Sequence, residues 1–129
     1  MKWLCIILLF FSADSFAQCK SYLLMGNGDT INCTDVNGKK QGMWLIKVAE
    51  LRGNPGYEEE GMFINDQKEG TWHQFNLIGD LRAIENYKWG FKDGISRYYG
   101  LNEILTKEES WKAVNPEDPY DTVDVQDLY

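Results

Sequence analysis

Asn65-Asp66-Gln67-Lys68-Glu69-Gly70-Thr71-Trp72 decides how this chain folds, because the chain repeats it. Counting 24 residues on, Glu69-Gly70-Thr71-Trp72 is answered by Asp93-Gly94-Ile95-Ser96, and Phe63, Phe75 and Leu81 by Tyr87, Tyr99 and Leu105. A further 24 carries Tyr87 to Trp111. Upstream, Asn37-Gly38-Lys39-Lys40-Gln41-Gly42-Met43-Trp44 matches residues 65–72 position for position at an offset of 28. The extra residues fall at Arg52-Gly53-Asn54-Pro55-Gly56, a loop, where an insertion is cheap in entropy. A period in this range, with glycine, acidic and aromatic positions in phase, is the mark of a repeat architecture.

One unit reads as turn, strand, turn, strand. The polar, glycine-ended stretch 65–70 suits a turn, and Thr71 to Phe75 is rich in residues that favour a pleated surface. Asn76-Leu77-Ile78-Gly79-Asp80 turns the chain again, and Leu81 to Trp89 is the return strand. Strands joined by short glycine-containing segments read as hairpins. A lone hairpin is marginal in water, so the copies must join to bury their aromatic positions. The expectation is an all-β fold of successive antiparallel hairpins over residues 18–112. In Met43 to Leu51, Trp44, Ile46 and Val48 alternate onto one face and Met43, Leu45 and Lys47 onto the other. Both faces carry large side chains, so each is expected to be partly covered, the second by Ser21 to Met25.

The ends differ from the middle. Lys2 followed by the nine apolar residues Trp3–Phe11 reads as an export signal, too short for the ~20 residues that span a bilayer. Ser15-Phe16-Ala17 places cleavage after Ala17, with residues 1–17 as the leader. A lipid-modified Cys19 is the weaker reading, since Gln18 and Phe16 precede it where small residues belong. Loss of the leader removes Cys5 and leaves Cys19 and Cys33, which an oxidising compartment can join or leave free. Asn32-Cys33-Thr34 fits the N-glycosylation pattern, but a strand that happens to contain Asn and Thr is the preferred reading. Residues 113–129 hold Pro116, Pro119, Glu117, Asp118, Asp121, Asp124 and Asp127 with no Lys or Arg after Lys112. They read as an acidic tail, solvated in part, with docking as a last edge strand the alternative.

The in-phase motifs, together with Gly79-Asp80-Leu81, Lys92-Asp93-Gly94 with Tyr98-Tyr99, and Gly28-Asp29-Thr30-Ile31-Asn32 leading to Asp35, resemble the MORN-type repeat. The nearest likeness is to the variant in small secreted bacterial proteins of an antitoxin-component-like group. The resemblance spans about Gly28 to Trp111. It implies an extended antiparallel sheet of successive hairpins, used for protein or membrane contact, and it implies no catalytic residues. Ser96 stands where the first two copies have tryptophan, and the second turn of the third copy has moved its glycine to Gly100.

Chemistry finds little support in the residues themselves. The formal net charge of −7 disfavours nucleic acid and anionic lipid, both of which need a cationic surface. His73 is the single histidine, which excludes multi-histidine metal centres, and a strand position explains it. A Cys33 nucleophile has no catalytic turn around it. Glu58-Glu59-Glu60 and Glu108-Glu109 offer carboxylates, but adjacent glutamates alternate faces on a strand and more often guard an edge than form a glycosidase pair. Asp118, Asp121, Asp124 and Asp127 lack the spacing and glycine of a calcium loop. No enzyme activity, cofactor or metal is expected.

The aromatic residues remain. Trp72 and Phe75, three apart, belong on opposite faces of a strand. An exposed aromatic set on a rigid sheet makes a contact surface, and Trp44, Trp72, Phe75, Trp89 and Tyr99 are its candidates, centred on a Trp72/Phe75/Tyr99 face. The expected partner is another envelope or secreted protein. Self-assembly through unpaired edge strands, or a carbohydrate ligand, are the alternatives.

Overall fold

The computed structural model describes residues 18–118. The expected leader, 1–17, and residues 119–129 of the expected tail lie outside the described residues. Nine strands form one antiparallel sheet: β1 (Cys19–Leu24), β2 (Thr30–Asp35), β3 (Lys40–Val48), β4 (Tyr57–Ile64), β5 (Gln67–Asn76), β6 (Leu81–Lys88), β7 (Phe91–Lys92), β8 (Gly94–Tyr99) and β9 (Leu105–Trp111). Each pairs with its neighbour in sequence, except that β7 and β8 both lie along β6 as one interrupted strand. The all-β hairpin architecture is therefore as the repeats require. Among the described residues no second sheet or α-helix lies over either face.

The turns are tighter than the polar stretches suggest. Between β4 and β5 only Asn65 (φ 49) and Asp66 (φ 68) turn the chain, the two left-handed residues of a tight hairpin connection. Gly70, expected to end the turn, sits inside β5 at φ 70, beside the register shift between Glu60 and Met62. Gly42 and Gly94 hold the same place in their copies, at φ 73 and 74. Each faces an aromatic residue of the next strand: Gly42 faces Phe63, Gly70 faces Tyr87 and Gly94 faces Trp111. Gly70 thus lies at a bulge, which increases the local twist, and Gly42 and Gly94 share its left-handed backbone.

β1 is tied to β2 by the Cys19–Cys33 disulfide, with Cα atoms 5.2 Å apart. By the chain-entropy argument a loop of this size is worth ~3 kcal/mol. β2 and β3 share only the pairs Cys33↔Gln41 and Thr34↔Lys40. Asn32, at φ 55, then leaves the strand line. Its side-chain amide replaces a strand neighbour, accepting from Leu45 N at 2.8 Å and donating to Leu45 O at 3.1 Å. That occupies the amide nitrogen a glycan would need. Ser21 to Met25 does not cover β3: it belongs to the edge, with β2 between, and Met43 is exposed. A single sheet sets strands side by side, so a segment two places away does not lie over that face.

Candidate functional site

Side-chain alternation splits the large residues between an inner and an outward face. On the inner face, Trp44, Phe63, Trp72 and Tyr87 stand edge to face, with centroids 5.7, 5.0 and 6.4 Å apart in turn. Lysines at the in-phase positions close over them. Lys40 lies 5.5 and 5.2 Å from the rings of Trp44 and Phe63, Lys68 lies 4.4 and 4.9 Å from Trp72 and Tyr87, and Lys92 lies 5.1 Å from Trp111. Their methylene stems cover apolar surface while the ammonium groups face the rings, so one layer of side chains makes a core without a second sheet. Trp72 is 1% exposed and Phe63 6%.

Carboxylates hold the ammonium groups of Lys68 and Lys92. Glu59 accepts from Lys68 Nζ at 3.1 and 3.2 Å and from Gln74 Nε2 at 3.4 Å. Glu85 accepts from Tyr98 Oη at 2.8 Å, Gln74 Nε2 at 3.1 Å and Tyr87 Oη at 3.2 Å, and pairs with Lys92 Nζ at 3.1 Å. Burial opposes the charge on Glu85, but the Tyr98 hydroxyl and Lys92 outweigh it and leave the carboxyl below its ordinary range. Burial first, then Glu85, push the Tyr87 phenol upward. Lys92 loses charge stability to burial, yet Tyr98 and Glu85 raise it overall. Asp35, at the end of β2, caps the turn to β3 by accepting from Asn37 N and Lys39 N at 2.9 and 3.0 Å.

Three sequence expectations are corrected by this arrangement. Glu59 is buried on an interior strand, because β4 lies between β3 and β5, so the glutamate run guards no edge. Trp72 is enclosed by Phe63, Tyr87 and Lys68 and offers no contact surface. A common Trp72/Phe75/Tyr99 face does not exist, since Phe75 and Tyr99 project outward, opposite Gln74 and Tyr98. Trp44 is half-buried on the inner face, its indole N–H donating to Cys33 O and Gln41 O, each at 3.2 Å. Trp89 is a half-buried turn residue at φ 54, held by Glu69 Oε1 through its backbone N–H at 2.8 Å. His73 stacks against Phe75 at 6.3 Å on the outward face. Among the described residues no group of three or more His, Cys, Asp or Glu is placed to hold a metal ion.

The third copy differs where Ser96 replaces tryptophan. Two residues on, Tyr98 accepts from Lys92 Nζ at 2.8 Å. Ser96 itself is 0% exposed, and its hydroxyl has no hydrogen-bond partner among the described residues. Ser96→Ala is therefore expected to stabilise the fold by about 1 kcal/mol, since an unsatisfied buried hydroxyl is removed. Urea unfolding checks this, and a lower midpoint in the variant would reveal a bond to that hydroxyl.

The outward face is the remaining candidate surface. Met43 and Met62 are paired across β3 and β4, and both are exposed, as are Ile64 and Ile95. Leu45, Phe75, Ile84 and Tyr99 are half-buried beside them. Glu60, His73, Ile84, Arg97 and Glu108 follow one another across the strands in register. Charges of both signs thus border apolar groups. The in-phase lysines and Gly61 were the signals that a reading centred on aromatic residues missed. No family model, no curated protein and no solved structure matches the chain.

Proposed function

We propose that this chain is an exported, non-catalytic binding module that takes another envelope or secreted protein on the outward face of its sheet. The observation that carries the reading is the asymmetry of the two faces. The inner one is closed from Phe63 to Trp72 by its own rings, lysines and carboxylates and opens at Trp111 on the β9 edge, while the outward one leaves methionine and isoleucine uncovered on its central strands. Methionine and aromatic residues bordered by charges are the composition of interface cores. The disulfide suits an oxidising compartment, and no helix among the described residues is long and apolar enough to cross a membrane. The MORN-type resemblance fits this build, and the antitoxin-like role it implies would make the partner a toxic protein held on this same face.

The test is affinity capture from the envelope and secreted fractions of the native host on immobilised residues 18–129. A Met43→Asp/Met62→Asp version is run alongside. One protein enriched by the first, absent with the second, and forming a defined complex once purified is the expected result. Equal capture by both versions would move the contact off this face, and no capture would remove the proposal.

A further inference from the structure

The two ends of the sheet are unlike. At one end the connections 36–39, 65–66 and 89–90 are short and mostly polar, and Val36 is their single exposed aliphatic residue. At the other end the connections 25–29, 49–56, 77–80 and 100–104 carry exposed aliphatic side chains at every tip: Met25, Leu51, Leu77, Ile78, Leu101 and Ile104. Ile78 is 84% exposed and Leu101 90%. Exposed aliphatics also stand on the β1 edge, at Leu23 and Leu24, and at Ile64, but only this end carries them on every connection. Such a clustered set calls for an explanation that scattered ones do not.

The same end contains a hollow. β6 and β8 pair only at Ala83↔Tyr98 and Ile84↔Arg97. Beyond Ala83 they part, and a cleft of about 390 Å³ opens, lined by Pro55, Leu81, Arg82, Tyr99, Leu101 and Asn102 among others. Its walls are braced. Asn76 Oδ1 accepts from Ile78 N at 3.1 Å and Asp80 N at 2.8 Å, Leu81 N donates to Glu103 Oε1 at 2.9 Å, and Gly100 N donates to Ile104 O at 2.8 Å. The tips beside the cleft are therefore presented in a fixed geometry.

We infer that this end is a two-fold contact between two copies of the chain, in which Ile78 and Leu101 of each copy enter the cleft of the other. A two-fold contact requires that one patch contain both the projecting part and its receptacle, and this end does. The rim has both signs of charge. Arg52 and Arg82 have no carboxylate partner among the described residues, while Asp80 and Glu103 lie on the neighbouring turns. A two-fold operation can set each sign against its opposite. Joining through the lateral edges is less favourable. β1 is interrupted by two register shifts, and β9 carries Lys107, Glu108 and Glu109 in succession, both features that block strand addition. The acids at the tips, with a chain charge of −7, likewise disfavour insertion into a membrane surface. This inference does not depend on the outward-face proposal.

Sedimentation equilibrium of residues 18–129 tests it. A dimer is expected, with Ile78→Glu and Leu101→Glu each weakening association by roughly 30-fold or more, as for a central contact residue. Both positions face solvent in the single copy, so the circular dichroism of these variants should match the parent. Val36→Glu, at the opposite end, and Met43→Asp/Met62→Asp, on the outward face, should leave the dimer unchanged, which separates this contact from any partner on that face. A monomer at every concentration overturns the inference. So does a dimer that survives both tip substitutions, or a monomer that floats with phosphatidylcholine vesicles.

Discussion

Gly61→Ala is expected to destabilise the protein by about 3 kcal/mol or more, although it adds a single methyl group. A Cβ on Gly61 would stand 2.3 Å from Trp72 Cδ2 and 2.4 Å from Cε2, closer than real contacts allow. The ring has nowhere to go. Phe63 and Tyr87 meet it edge to face on its two sides, and Lys68 lies over it at 4.4 Å. Displacing the indole would open the inner face at its best-buried point. Trp72→Ala alone should cost ~3–5 kcal/mol through the cavity it leaves. The double variant should cost much less than the two together, because the clash needs the ring. Urea midpoints of the four proteins measure this coupling. Additive losses, or a Gly61→Ala protein within ~1 kcal/mol of the parent, would mean that the indole is free to move aside.

Much of this was legible in the chain, and what was not has identifiable reasons. The 24-residue phase of Gly70 with Gly94 and of Phe63 with Tyr87 and Trp111 requires successive hairpins, and those are present. The same phase misplaces the turns, since a glycine after polar residues reads as a turn end when, as at Gly70, it lies inside the strand at a register shift. Opposite faces for Trp72 and Phe75 follow from alternation, but which of them is buried does not. That choice falls to Gly61, whose missing side chain makes room for the indole, and a glycine inside a strand pattern is a signal of close approach. Glu59, in a run of three glutamates, reads as guarding an edge, and Glu85 stands out by no local pattern. Only the in-phase Lys68 and Lys92 hint that they are paired. The cleft between β6 and β8 depends on where two strands part, and no local pattern encodes that.

Removing the carboxylate of Glu85 should have the second large effect. Glu85→Ala is expected to cost about 3 kcal/mol, the lower part of the range for breaking a buried pair, because the Lys92 side chain keeps 30% of its exposure. The loss is larger than one ion pair, since Tyr98, Tyr87 and Gln74 also lose their acceptor. Glu108→Ala is the control. It breaks the Arg97 pair, whose side chains are 45% and 51% exposed, and should cost no more than ~1 kcal/mol. The acid limb of the stability curve makes the same argument without deleting the side chain. The carboxyl of Glu85 is held below its ordinary value, so in that range the unfolded chain binds the proton first and stability rises with pH. The stabilisation is complete above the ordinary glutamate range and fades as pH falls through the lower, folded-state value. Glu85→Gln retains most of the shape and cannot titrate, so its stability should fall less steeply with acid than that of the parent. Parallel acid limbs for parent and Glu85→Gln would show that the charge on Glu85 is not what ties Lys92, Tyr87 and Tyr98 to the core.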